Sequence, residues 1–343
     1  MKIIFWGTPL FARKILDSIV ESNYDVIAVV TQPDKKRERG AKLIYSPVKQ
    51  RASELNIPVF TPKSIKTEIE IQKKILDLKA DIFIVVAFGQ ILPKNLINSP
   101  RLGSWNIHAS LLPRWRGAAP IQWTLINNDS ETGVGIMKME EGLDTGSVLL
   151  EEKLSIELTD NKLILENKLC IVSTKLIINA LQTIGTENKN CEESNNSEML
   201  IKQKDLDREL SYARMITKSD FIIDWNEGIM NVHKKIMGLY PNAYTYIENK
   251  RLKIIDCFPL IKEAIDIIDP TFYKYLNCSK ETHFKPGKII EIINNKGFIV
   301  KTKDYFILIK KSQLEGKNIE SGEISLQQAK ATVGHQLGGQ RNT

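Results

Sequence analysis

Apolar residues recur with two different periods along the first half of the chain. Runs at positions 2–5, 26–31 and 82–86, apolar but for Lys2 and Thr31 at their ends, have the length and β-branched content of buried strands, and positions 8–21 carry apolar residues at the spacing of an amphipathic helix. The opening is therefore a βαβ unit. Helical spacing returns over 65–79, a loop follows at 88–93, and further strands are predicted near 105–107 and 133–139. This alternation predicts an α/β fold, a doubly wound, Rossmann-like parallel sheet with helices on both faces. After an extended stretch at 148–158, a long helix over 161–184 closes the pattern.

The second half changes character. Positions 185–200 are polar and turn-rich, which is linker composition. Beyond them a helix at 226–239 precedes short β-rich runs at 243–248, 252–258, 287–293, 297–303 and 305–310, with Asn294-Asn295-Lys296-Gly297 as a hairpin turn. A small β-barrel is the simplest architecture for such runs. Positions 261–284 follow neither period and are expected to form a long loop. The organisation expected is an α/β domain over 1–184, a linker over 185–205, a β-barrel domain over 206–330 and a tail over 331–343.

Composition narrows the class. At 343 residues, with 42% hydrophobic and 26% charged residues, the chain suits two globular domains rather than a disordered or membrane-embedded protein. The N-terminal apolar run ends at Gly7, too early for a signal-peptide core, so a cytoplasmic protein is expected. Cys170, Cys191, Cys257 and Cys278 are far apart and form no Cys-x-x-Cys pair, so they read as reduced thiols and not as a zinc site. The net charge of +7 decides little in a chain rich in Lys, Asn and Ile throughout. Its distribution says more: Lys35, Lys36, Arg37, Arg39, Lys42, Lys49 and Arg51 are opposed locally only by Asp34 and Glu38.

The first strand leads into Gly7-Thr8-Pro9-Leu10-Phe11-Ala12, where a dinucleotide fingerprint would need glycines in place of Pro9 and Ala12; a nicotinamide enzyme is disfavoured. In the predicted strand Asn106-Ile107-His108, the amide and the imidazole share one face at the carboxyl end, where open α/β sheets bind ligands. An arbitrary Asn-x-His more often satisfies nearby backbone groups, and Asp144, in a loop between Gly142 and Gly146, would alone be a turn residue. Together the three suit acyl transfer to an amine, in which an oxygen becomes negative and the amine loses a proton. Ser110 lies outside any Gly-x-Ser-x-Gly elbow, which argues against a serine hydrolase. Arg114 and Arg116 flank Trp115 and fit a phosphate contact or packing on the indole equally well.

Asn106-Ile107-His108, Ser110-Leu111-Leu112-Pro113 and Leu143-Asp144-Thr145-Gly146 in combination resemble the folate-dependent formyltransferase family. The resemblance implies 10-formyltetrahydrofolate as donor, no metal, and catalysis in which Asn106 donates to the oxyanion while His108, supported by Asp144, polarises the formyl oxygen. It also implies a pterin cleft at Phe88, Gly89, Ile91, Leu92, Ser110, Leu111, Leu112 and Pro113. Acceptors differ within the family. Phe5-Trp6-Gly7-Thr8-Pro9, the stretch from Thr31 through Arg39-Gly40 to Lys49, and the run from Arg114 to Gln122 resemble members that act on methionyl initiator tRNA in translation initiation. That likeness implies tRNA binding by Lys35, Lys36, Arg37, Arg39 and Lys42, a C-terminal barrel of the oligonucleotide-binding (OB) kind, and a monomer. Two competing readings fit less well. A sugar-nucleotide formyltransferase has no need of the basic stretch, and a noncatalytic RNA-binding protein gives no reason for Asn106, His108 and Asp144 together.

Overall fold

Ile3, Ile4, Phe5 and Trp6 are all fully buried, the mark of a strand covered on both faces. In the computed structural model, which describes residues 1–36, 43–187, 199–278 and 284–338, they form an inner strand of the first of two units. The first unit comprises Met1–Pro120, Glu131–Ser155 and Glu166–Met215, and the second Ile121–Ser130, Ile156–Leu165 and Ile216–Thr343. The sequence suggested a single cut at 185–205; the structure instead assigns two earlier segments to the second unit.

The first unit holds β1 (Lys2–Gly7), β2 (Asp25–Val30), β3 (Val59–Phe60), β4 (Ile82–Val86), β5 (Ser104–His108), β6 (Glu131–Lys138) and β7 (Val148–Ser155), in the order β7-β6-β5-β4-β1-β2-β3. The expected parallel sheet is present from β1 to β5, while β6 and β7 add an antiparallel edge. The connection from β6 to β7 is too short for a crossover and so must return antiparallel. Strand order reverses between β1 and β4, which opens a crevice at their carboxyl ends.

Helices α1 (Leu10–Glu21), α2 (Pro47–Glu54), α3 (Ile69–Asp77), α4 (Lys94–Ile97), α5 (Pro120–Ile126) and α6 (Lys162–Glu187) follow in chain order. On α1, Phe11, Ala12, Ile15, Leu16 and Ile19 make the buried stripe. Although α6 is long and apolar enough to cross a membrane, half of its apolar window is buried in the fold, with Leu165, Leu169, Leu176, Ile177, Ala180 and Ile184 inside. It is read as a core helix. Helix α2, absent from the elements expected above, is started by Ser46, whose Oγ accepts from Lys49 N at 3.0 Å, and by Pro47 in the first turn.

The second unit is an antiparallel sheet of β8 (Tyr244–Ile247), β9 (Lys250–Pro259), β10 (Ile289–Ile293), β11 (Gly297–Lys301), β12 (Phe306–Leu314) and β13 (Ile319–Ser321), with α7 (Ile229–Gly238), α8 (Lys262–Ile268), α9 (Lys274–Cys278) and α10 (Gly322–Ala329). Its strand path runs β8-β9-β12-β11-β10, with β13 on β12. No pair joins β8 to β10 among the described residues, so the region expected as a barrel is seen as an antiparallel sheet. On one face Phe298, Val300, Ile307 and Ile309 pack with Val232, Ile236 and Leu326.

One expectation for this unit is corrected. The stretch 261–284, expected as a loop, contains α8, a 3₁₀ turn at Pro270–Tyr273 and α9. Ile265, Phe272 and Tyr275 anchor it to Ile299, Phe306 and Leu308 on the second face of the sheet. These anchors are too widely spaced to show a local period; tertiary packing defines the elements. Farther along the chain, Ala331 and Leu337 join the core and Leu337 N donates to Gly287 O at 2.8 Å.

Candidate active site

Strand β5 ends at the carboxyl edge of the sheet, between β4 and β6. Trp105 and Ile107 are buried, and the alternation of a strand puts Asn106 and His108 together on the other face. His108, only 4% exposed, has both ring nitrogens directed at protein groups. Its Nε2 lies 2.9 Å from the carbonyl oxygen of Trp115, which accepts only if Nε2 carries the proton. Nδ1 then faces Asp144 Oδ2 at 3.6 Å, close enough for charge interaction but beyond hydrogen-bond length.

Asp144 comes from the loop between β6 and β7 and has a left-handed backbone, φ 51°. Its carboxylate is held from two sides: Oδ1 accepts from Asn106 Nδ2 at 3.3 Å and Oδ2 accepts from Gly117 N at 2.8 Å. The amide, imidazole and carboxylate singled out in the sequence are thus brought together.

The loop after β5 is built to hold this geometry. Ser110 Oγ donates to Arg114 O at 2.6 Å, and Trp115, left-handed at φ 62°, donates its N–H to Ser211 Oγ at 3.0 Å. Arg116–Gly117 pairs in parallel with Tyr212–Ala213. Arg208 donates to Leu112 O at 3.1 Å and forms a two-pronged ion pair with Glu151 at 2.5 and 2.6 Å. The two arginines beside Trp115 differ in role: Arg114 stacks 4.7 Å from the Trp115 ring centre, whereas Arg116 donates to Gln203 Oε1.

Gln203 is the residue the sequence reading missed. It fell within the expected linker, yet it is buried and its Nε2 donates to the carbonyls of Asp144 at 2.8 Å and Gly146 at 2.7 Å. Its neighbours Lys202, Lys204 and Asp205 give it a solvated, linker-like context, and no local signal marks it.

The residues expected around a pterin divide into two groups. Phe88 and Leu92 are core residues, clustered with Trp6, Phe83 and Val85, and Ser110, Leu111 and Leu112 are buried. Pro113, which closes the Ser110 segment, is buried as well, whereas Ile91 is 80% exposed and Gly89 is exposed with φ 83°. The Phe88 carbonyl is fixed at the crevice by Thr8 Oγ1 at 3.1 Å and Gln32 Nε2 at 3.0 Å. Among the described residues no three His, Cys, Asp or Glu side chains gather as a metal site. A cavity of about 200 Å³ lined by Gly103, Ser104, Trp105 and Lys138 lies at the amino end of β5, the far end from His108.

Of the basic stretch, Lys35 and Lys36 pair with Leu43–Ile44 in a short hairpin, while Arg37, Arg39 and Lys42 lie outside the described residues. Lys49 is bound to Asp34 at 2.6 Å and Arg51 to Asp17 at 2.5 Å, so neither is a spare cation.

Comparison with known proteins gives the same assignment over both units. A family model described as formyl transferase matches residues 1–181, and one described as formyl transferase, C-terminal domain, matches residues 215–330. A methionyl-tRNA formyltransferase of Prochlorococcus marinus (strain SARG) is 49% identical over 97% of this chain and 98% of its own length. That of strain MIT 9312 is 48% identical over 98% and 99%. Among solved structures, the fold resembles WlaRD, a sugar 3N-formyltransferase (TM-score 0.60, 21% identity, 93% of this chain and 99% of that one). It also resembles HypX of Aquifex aeolicus in complex with tetrahydrofolic acid (TM-score 0.60, 13% identity, 97% of this chain and 48% of that one). The chain belongs to the formyl transferase family.

Proposed function

We infer that this protein transfers the formyl group of 10-formyltetrahydrofolate to the amino group of methionine on initiator tRNA, the step that prepares that tRNA for translation initiation. The near-full-length likeness to methionyl-tRNA formyltransferases supports the acceptor. The single observation that carries the chemistry is the meeting of Asn106, His108 and Asp144 at the end of β5.

In this reaction the methionyl amine attacks the formyl carbon, forming the new C–N bond as the carbonyl oxygen becomes negative. The bond to N10 of the folate then breaks, the oxygen recovers its double bond, and the proton lost by the amine ends on N10, releasing tetrahydrofolate and formyl-methionyl tRNA. Asn106 Nδ2 is a hydrogen-bond donor suited to the oxyanion. His108 acts through Nδ1, the nitrogen not engaged by Trp115: in the imidazolium, which the Asp144 carboxylate favours, Nδ1 carries an N–H that polarises the formyl oxygen. Asp144, fixed through both oxygens, keeps a negative charge beside the ring and beside the developing ammonium.

The pterin is placed at the crevice, meeting the backbone of Phe88, Gly89 and Ser110 to Pro113 and the exposed Ile91, with Leu92, Leu111 and Leu112 bracing those segments from inside. The hairpin of Lys35 and Lys36, together with Arg37, Arg39 and Lys42, offers cations to tRNA phosphates. The protein is proposed to work as a cytoplasmic monomer with no metal.

The test is transfer of labelled formyl from 10-formyltetrahydrofolate to methionyl initiator tRNA, glycinamide ribonucleotide and an amino-sugar nucleotide in parallel. Transfer to the tRNA alone is expected. Transfer only to a small acceptor would keep the chemistry and overturn the partner.

A further inference from the structure

The carboxylate of Asp144 can serve the reaction only if its loop stays in register with the loop carrying Gly117. These loops belong to different parts of the sequence, and the bond between Gly117 N and Asp144 Oδ2 is a single contact at 2.8 Å. Gln203 sits behind both. It has no spare hydrogen-bonding capacity: its two N–H groups serve Asp144 O and Gly146 O, and its oxygen receives two N–H groups of the Arg116 guanidinium at 3.0 and 2.7 Å.

The amide orientation is dictated by its partners. Turned over, it would set its oxygen against two carbonyls and its N–H groups against a cation. Gln203 is 4% exposed, so water cannot replace a lost partner at low cost. Its hydrogen bonds run to the Asp144 and Gly146 backbone carbonyls and to the Arg116 guanidinium.

We propose that Gln203 is a positioning residue for formyl transfer, locking the Asp144–Gly146 turn to Arg116–Gly117 so that the carboxylate meets Asn106, His108 and the Gly117 N–H in one fixed arrangement. The proposal rests on the functional reading above. It places part of the catalytic support beyond the segment matched by the first family model, which ends at residue 181.

Misplacing a catalytic group by about 1 Å costs on the order of 100-fold in rate. In single-turnover formylation of methionyl initiator tRNA, Gln203→Met is expected to slow transfer about 10- to 100-fold, with KM for folate and tRNA within about twofold of wild type. Gln203→Glu keeps the length and the acceptor for Arg116 but sets an oxygen against the Asp144 and Gly146 carbonyls. It is expected to show the same loss, and it stands in if the methionine variant unfolds. The decisive readout is the double variant: in an Asp144→Ala background, Gln203→Met should slow transfer no further, because the group it positions is gone. A Gln203→Met enzyme as fast as wild type, or one that slows the Asp144→Ala background by the same factor as it slows wild type, overturns the inference alone. Wild-type protein that formylates no acceptor overturns the functional reading and this inference with it.

Discussion

The backbone N–H of Gly117 donates to Oδ2 of Asp144 at 2.8 Å, joining the loop that follows β5 to the loop between β6 and β7. Two features keep Gly117 in place to do so. Its backbone is left-handed at φ 121°, and a Cβ there would stand 2.7 Å from the carbonyl oxygen of Ala213 in the paired segment. A residue with a side chain must push Tyr212–Ala213 away or give up the conformation.

Gly117→Ala is therefore expected to destabilise the protein by about 1–3 kcal/mol and to lower turnover more than substrate affinity. Denaturant unfolding and steady-state kinetics check both. Unchanged kcat in a folded Gly117→Ala variant would show that the Gly117 contact does not orient Asp144.

Asn106→Ala removes the donor assigned to the oxyanion, and Asp144→Ala removes the carboxylate beside His108. Each is expected to lower kcat by roughly 100- to 1,000-fold, since preorganised donors and charges act on the transition state rather than on ground-state binding. Circular dichroism should show both variants folded. A loss confined to KM would assign these residues to binding instead.

His233 gives the second unit a pH dependence of its own. It is 1% exposed, donates from Nε2 to Leu158 O at 3.0 Å, and Cys257 Sγ stands 3.5 Å from its Nδ1. Burial pushes its pKa down from 6.5 to about 4, and burial, with Asp256 nearby, pushes the Cys257 thiol up so that it stays protonated and can donate. Between these two pH values the unfolded chain takes up a proton that folded His233 refuses. The neutral histidine's contribution is thus complete above pH 6.5 and is lost as pH falls to about 4, a change of ~3 kcal/mol at most. His233→Gln should flatten the stability profile between pH 6.5 and 4 relative to wild type in urea titrations. Parallel profiles would contradict this account.

Neutralising Arg39 and Lys42 to Gln should weaken use of methionyl initiator tRNA while sparing folate binding. If each cation meets one phosphate, the dependence of log affinity on log salt should become shallower by roughly 1.5 for the pair. Equal slopes for the variant and the wild type would remove these residues from the tRNA interface.

How much of this was legible depended on whether a structural role leaves a local period. Ile3 to Trp6 announce β1 because a strand buried on both faces must be apolar throughout. Asn106 and His108 were readable as a pair because strand alternation alone puts them on one face. Asp144 was placed near them by a loop argument, and its contacts with Asn106 and Gly117 belong to tertiary structure. Gln203 was illegible: a polar residue among polar neighbours looks the same whether it faces water or binds two carbonyls and a guanidinium. Phe272 and Tyr275 failed to mark their segment for a related reason, since their partners Ile299, Phe306 and Leu308 lie on later strands. The start of α2 is the opposite case, since Ser46 and Pro47 give a capping signal in the sequence itself.

The central claim is that formyl transfer to methionyl initiator tRNA runs through the imidazole held between Asp144 and the Trp115 carbonyl. The most direct test is single-turnover transfer of labelled formyl by wild-type protein and His108→Ala side by side, with tRNA binding measured on the same samples. The account requires rapid formylation by the wild type and a rate at least ~100-fold lower for the variant, with tRNA still bound. A His108→Ala enzyme that formylates at the wild-type rate would contradict it.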